Sequence, residues 1–180
     1  MFKLPVSLFF LLFIQISLAQ NQKWKLNSSQ SQISYEAIHL LHPWEGVNKH
    51  VKGVLLFDPA VDEIKEIAIL TQVRDFDSKN SGRDAHALEV LEALSFPEVR
   101  FYANLIEYKK DSILIHGQFD FHGVTKNQTL IAKHKISLNK MNLSGTFTLK
   151  ITDYGIKPPS FMMVKMEDLL NFKFNLTFEK

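Results

Sequence analysis

The chain has no cysteine among its 180 residues. That excludes disulfides, thiolate metal sites and a cysteine nucleophile, along with acylation at a cysteine behind a leader segment. A domain without such staples is held by an ordinary apolar core. A charge of one sign is lacking too. Lys and Arg total 21 against 19 Asp and Glu, a net charge of +2. The basic residues are scattered, whereas nucleic-acid binding needs a clustered basic face. Beyond residue 19 no run is long and apolar enough to cross a bilayer, which takes about 20 residues. There is no linker, repeat or low-complexity stretch, so 20–180 is expected to be one domain.

What is present begins with an export signal. Lys3 supplies a positive start, Leu8-Phe9-Phe10-Leu11-Leu12-Phe13-Ile14 an apolar run, and Ser17-Leu18-Ala19 the small residues of a cleavage site before Gln20. Residues 1–19 are therefore expected to be a signal peptide, leaving an exported protein, periplasmic or secreted, with no membrane span after cleavage.

The remainder alternates apolar and polar residues with period two, the signature of half-buried strands. Leu170, Phe172, Phe174, Leu176 and Phe178 alternate with Asn171, Lys173, Asn175, Thr177 and Glu179. The same alternation carries Leu143, Gly145, Phe147, Leu149 and Ile151, and again Ile113, Ile115, Gly117, Phe119 and Phe121. Weaker versions run through 33–41, 51–57, 67–73, 99–105 and 130–138, and with 24–26 they predict about eight or nine strands. Short joints such as His122-Gly123 favour consecutive antiparallel pairing. Barrel and sandwich both satisfy this pattern. Between Ser81 and Leu94 the spacing turns helical, with Ala87, Leu88, Leu91 and Leu94 in phase, and Pro97 is expected to end the helix. Asp84 is expected to serve the free N–H groups of that helix. His42 is placed in a turn with Pro43, and 155–168, with Pro158-Pro159, as an irregular bulge.

Residue chemistry points to binding more than to catalysis. His39, His42 and His50 invite a metal-dependent enzyme, but three convergent zinc ligands do not assemble when residues three apart lie on opposite faces of a strand. Asp77 to Gly82 fails as a calcium loop, because Lys79, Ser81 and Leu88 fall at ligand positions. No Gly-x-Ser-x-Gly elbow occurs, and Asp84 with His86 lacks a nucleophile. The conspicuous stock is apolar: Phe76, Phe96, Phe101, Phe119, Phe121, Phe147, Phe161, Phe172 and Phe174, with Met162, Met163 and Met166. Such residues either fill a core or line a cavity for a long apolar ligand, and both demand the same inward positions.

Six strings taken in order carry a further meaning. They are Phe57-Asp58-Pro59, Arg83-Asp84-Ala85-His86, Phe96-Pro97 with Val99-Arg100-Phe101, Gly117, His122-Gly123-Val124-Thr125-Lys126, and Asp153-Tyr154-Gly155-Ile156. In this order and spacing the chain resembles the YceI-like family over about 23–180. The resemblance implies an all-β, antiparallel, lipocalin-like barrel of about eight strands with one short helix over an end. It also implies non-catalytic binding of a polyisoprenoid or quinone-like lipid in an internal channel, with no cofactor or metal and a tendency to form homodimers. The channel is then expected to be lined by Ile33, Tyr35, Ala37, Val51, Leu55, Phe101, Leu105, Ile115, Phe119, Phe147, Leu149, Phe172 and Phe174, with Arg83, His86 and Lys126 offered to a polar headgroup. Two segments depart from the family pattern, 39–46 and 158–168, and both are assigned to a barrel mouth. The competing readings are a His-based metal-dependent enzyme and an interaction module built on a filled barrel.

Overall fold

The computed structural model describes residues 20–39, 42–161 and 164–180. The expected signal peptide, Met162 and Met163 lie outside the described residues. The strands are β1 (Gln22–Leu26), β2 (Gln32–His39), β3 (His42–Asn48), β4 (Lys52–Asp58), β5 (Glu63–Gln72), β6 (Glu98–Tyr108), β7 (Ile113–Phe121), β8 (Val124–Ser137), β9 (Lys140–Lys150), the short β10 (Ser160–Phe161) and β11 (Val164–Lys165), and β12 (Leu169–Glu179). Helix α1 (Ser81–Val90) lies between β5 and β6.

Ladders run antiparallel in the order β1-β4-β5-β6-β7-β8-β9-β12, and β12 pairs back to β1. Eight strands thus close a barrel, as the resemblance implied, where the alternation by itself allowed a sandwich equally. Closure removes the exposed edges that make open sheets stick. The barrel is not uniform along its length. The far part of β12 pairs with β1, through Leu26↔Phe178, while its near part pairs with β2, through Phe174↔Ile33 and Phe172↔Tyr35. One end is therefore closed by β1 and β4, and at the other the β2–β3 hairpin flares outward.

The flared strand β3 is absent from the sequence expectation, because His42-Pro43-Trp44-Glu45-Gly46 does not alternate. His42 lies in this strand, not in a turn, with His39 as its ladder partner. Pro43 is tolerated because β3 has a ladder neighbour on one side alone, and an edge strand does not need every N–H. Two groups tie this edge to the barrel. Val47 and Asp77 exchange backbone N–H···O bonds of 3.0 Å in both directions. The buried Asn48 donates from Nδ2 to Thr71 Oγ1 at 2.5 Å.

The gap between β3 and the barrel wall is spanned by 73–97, with α1 at its centre. Asn80 caps the helix by accepting the Arg83 N–H at 3.0 Å. The cap is thus Asn80, and Asp84 stands in the first turn, where its charge favours the free N–H groups as expected. Its carboxylate turns back to accept Ser78 N–H at 3.1 Å and Ser78 Oγ–H at 2.5 Å, holding the approach loop. The helix stops before Pro97. Glu92, at φ 44°, reverses the chain, and the Ala93 N–H bonds the Leu88 carbonyl at 2.9 Å, a Schellman closure with a non-glycine residue. The irregular 155–168 segment contains the small β10–β11 pair and is tied down by Glu167 N–H to the Ile38 carbonyl, 3.0 Å.

Candidate functional site

Inward side chains divide the barrel in two. At the closed end Leu55, Ile113, Met141, Leu143 and Phe178 are completely or almost completely buried, with Trp24 tilted against Phe57 at 5.4 Å between ring centroids. This half is a packed core. Toward α1 the same faces enclose a cavity of about 680 Å³, within the range of sites for small organic ligands (~300–1,000 Å³).

Aromatic rings cluster on its wall. Phe147 and Phe172 stack at 4.9 Å and 9°, and Tyr35 lies 6.3 Å from Phe172 and 5.5 Å from Phe76. Phe119 meets Phe147 edge-on at 5.8 Å. Such offset and edge contacts hold rings in place without filling the space between opposite strands. The apolar face of α1, with Ala87 and Leu88, and Leu91 just past its end cover the top, and Met166 joins from the 158–168 segment. Exposed Arg74, Asn80, His86 and Ser160 also border the cavity, so it meets solvent beside the helix.

Polar groups gather at that rim. Arg83 donates from Nε to Ser78 Oγ and from Nη2 to the Ser78 carbonyl, both at 2.9 Å, and its guanidinium sits 5.3 Å over the Trp44 ring. Arg83, Asp84 and Trp44 all border the cavity. The Tyr35 phenol is pushed above the ordinary tyrosine value, chiefly by burial. The adjoining Trp44 indole acts in the opposite sense, Asp84 adds to the rise and Arg83 opposes it. Tyr35 therefore stays a neutral hydroxyl at physiological pH.

Of the residues read from sequence as channel liners, Ile33, Tyr35, Ala37, Phe101, Phe119, Phe147, Phe172 and Phe174 border the cavity. Val51, Leu55, Ile115 and Leu149 are buried but belong to the packed core instead. Leu105 points outward and is 57% exposed. A bulge between Ala103 and Leu105 leaves Asn104 unpaired, and one extra residue transfers every later side chain to the other face. Arg83 and His86 border the cavity and Lys126 does not. Its ammonium pairs with Asp153 at 3.5 Å and lies 5.7 Å over the Tyr154 ring. Trp44, Phe76 and Leu88 are liners that the sequence list omits. Phe76 stood in the aromatic stock and Leu88 in the helical phase of 81–94, whereas Trp44 had no such signal.

The histidines are dispersed. His50 faces Asp75 at 3.9 Å, His86 faces Glu89 at 3.7 Å, and His122 Nδ1 lies 3.0 Å from the Tyr154 carbonyl. Among the described residues no three His, Asp or Glu side chains come together as a metal site, and no helix is long and apolar enough to span a membrane.

Known proteins share this architecture. The UPF0312 protein of Pseudomonas savastanoi pv. phaseolicola is 26% identical over 138 residues, covering 72% of this chain and 69% of that one. The crystal structure of Burkholderia cenocepacia BcnA superimposes with a TM-score of 0.76 at 16% identity, over 84% of this chain and 98% of BcnA. A polyisoprenoid binding domain from Saccharophagus degradans, implicated in plant cell wall breakdown, gives a TM-score of 0.67 at 11% identity, over 87% and 97%. The sequence model of the YceI-like domain matches residues 24–178. With that match spanning nearly the whole barrel, the chain belongs to the YceI-like domain family.

Proposed function

We propose that this protein is an exported, non-catalytic carrier that holds the apolar chain of a polyisoprenoid or quinone-like lipid inside its barrel. The observation that carries this reading is the 680 Å³ cavity walled by Phe119, Phe147 and Phe172 beside a polar, solvent-facing rim. Burial of a chain there is favourable by about 25 cal/mol for each Å² of apolar surface removed from water. Preset rings spare much of the ordering cost of binding. A fold shared with a polyisoprenoid binding domain supports the ligand class. A polar headgroup belongs at the rim, where Arg83 and His86 stand beside Tyr35 and Trp44. Export rests on the residue 1–19 signal.

Native mass spectrometry with lipid extraction, on protein recovered from the exported fraction, tests the reading directly. The expected result is a co-purifying lipid of one chain class, and a raised melting temperature when a prenyl quinone is added to stripped protein. Absence of both overturns the carrier.

A further inference from the structure

Two aromatic rings stand at the inner limit of the cavity lining. Phe101 on β6 and Phe174 on β12 are buried and border the cavity. Their strands stand four places apart in the eight-stranded ring, so the two side chains project from opposite walls. Each ring occupies space that a glycine leaves open. A Cβ on Gly117 would lie 2.5 Å from Phe101 Cζ, and one on Gly145 would lie 2.7 Å from Phe174 Cζ. Gly145 is the ladder partner of Phe174. Each ring thus reaches over the glycine of the neighbouring strand, the arrangement by which aromatics cover glycine in sheets. The next inward residues, Ala103 and Leu176, sit one strand repeat below (~7 Å). They are buried and do not border the cavity.

We infer that Phe101 and Phe174, seated over Gly117 and Gly145, form a floor that sets the maximum length of apolar chain this barrel accepts. The inference rests on the carrier reading above and adds a limit to it. Benzene occupies an engineered cavity of about 150 Å³, roughly 25 Å³ per carbon. At that loading a cavity of 680 Å³ holds roughly 27 carbons, or about five isoprene units. Units beyond these stay in water and add no affinity. The ligand class is therefore a short polyprenyl chain, not one that threads the whole barrel.

The test is a series of prenyl alcohols of three to nine isoprene units, titrated against stripped protein by displacement of a fluorescent fatty-acid probe. Affinity is expected to rise several-fold per unit up to about five units, as each adds buried apolar surface. From five to nine units it is expected to change by less than about twofold, because no further surface is buried. Continued tightening to nine units overturns the floor while leaving the carrier reading intact. Failure of every alcohol to displace the probe overturns the carrier and the floor together. A Phe174→Ala variant, if its melt shows a folded barrel, is expected to shift the break toward longer chains. An unchanged break in a folded variant also overturns the floor. Should the variant not fold, the wild-type series decides alone.

Discussion

Single side chains hold the places where regular pairing stops. Asp168 is a clear case. It lies just ahead of β12, and its carboxylate accepts the Thr152 N–H at 3.0 Å and the Thr152 hydroxyl at 2.7 Å. These bonds hold its pKa below the ordinary aspartate value. A folded-state pKa below the unfolded one means stability that is present above the unfolded value and lost as pH falls through the folded value. The expected outcome is a wild-type barrel that loses stability below about pH 4. In Asp168→Asn that portion of the acid dependence is absent, as read from urea midpoints at several pH values. Asn48 works by the same logic in the buried interior, where it joins the flared β3 to Thr71 on β5. Its replacement by Leu leaves the His50 N–H and the Thr71 hydroxyl without their partner. The expected cost is about 1–3 kcal/mol, measured by chemical denaturation.

At the scale of elements, the strings that mark the family are joints, and they touch one another. His122 and Gly123 both take positive φ, 51° and 71°, and turn β7 into β8 in two residues, as the right-handed twist of hairpins favours. The Phe96 ring rests on this turn, 4.4 Å from the His122 ring. Lys126 and His122 then reach Asp153 and the Tyr154 carbonyl. A Cβ on Gly123 would come 2.7 Å from Phe96 Cε1. Gly123→Val therefore meets both a disfavoured φ and a packed ring, with an expected loss of about 1–3 kcal/mol, visible as an earlier thermal transition with the β spectrum retained. Much of this level was legible in the sequence, because turns and caps have local chemistry: the His122-Gly123 hairpin stands where expected, and the helix expected between Ser81 and Leu94 forms over Ser81–Val90, leaving Leu94 exposed. What was not legible turned on which of several nearby partners each group takes once the chain is folded. Asp84, in the first turn of its helix, also holds Ser78, Glu92 ends that helix ahead of Pro97, and β3 forms without alternation because β2 offers it a ladder.

Across the whole molecule, stability and capacity are separated. The closed end is filled and the α1 end is hollow, so substitutions in the two halves have different signatures. Leu143→Ala, at a completely buried site of the closed end, is expected to cost about 2–5 kcal/mol and to leave the chain-length profile of ligands unchanged. Phe172→Ala, on the cavity wall, is expected to weaken ligand binding far more than it weakens the fold. Paired denaturation and displacement measurements separate the two outcomes. A bound lipid raises the apparent stability of either variant by RT ln(1 + L/Kd), L being the free lipid concentration, and so more for the variant that keeps its affinity.

The sequence by itself determined the alternating strands, their antiparallel succession, the helix over one end and the family, because alternation and turn chemistry are local and repeat along the chain. It marked the inward faces of β7, β9 and β12 residue by residue. Only the tertiary structure decided which inward residues border space and which fill it. Leu143 and Phe147 lie on the same face of one strand, yet one is core and the other is cavity wall. That difference depends on what the opposite wall presents, and so on strand pairing across more than a hundred residues. It depends also on a one-residue bulge at Asn104 that turned Leu105 outward, and on two glycines that Phe101 and Phe174 reach over. Burial requires an apolar side chain in either place, and the volume left between walls is a property of the closed barrel alone.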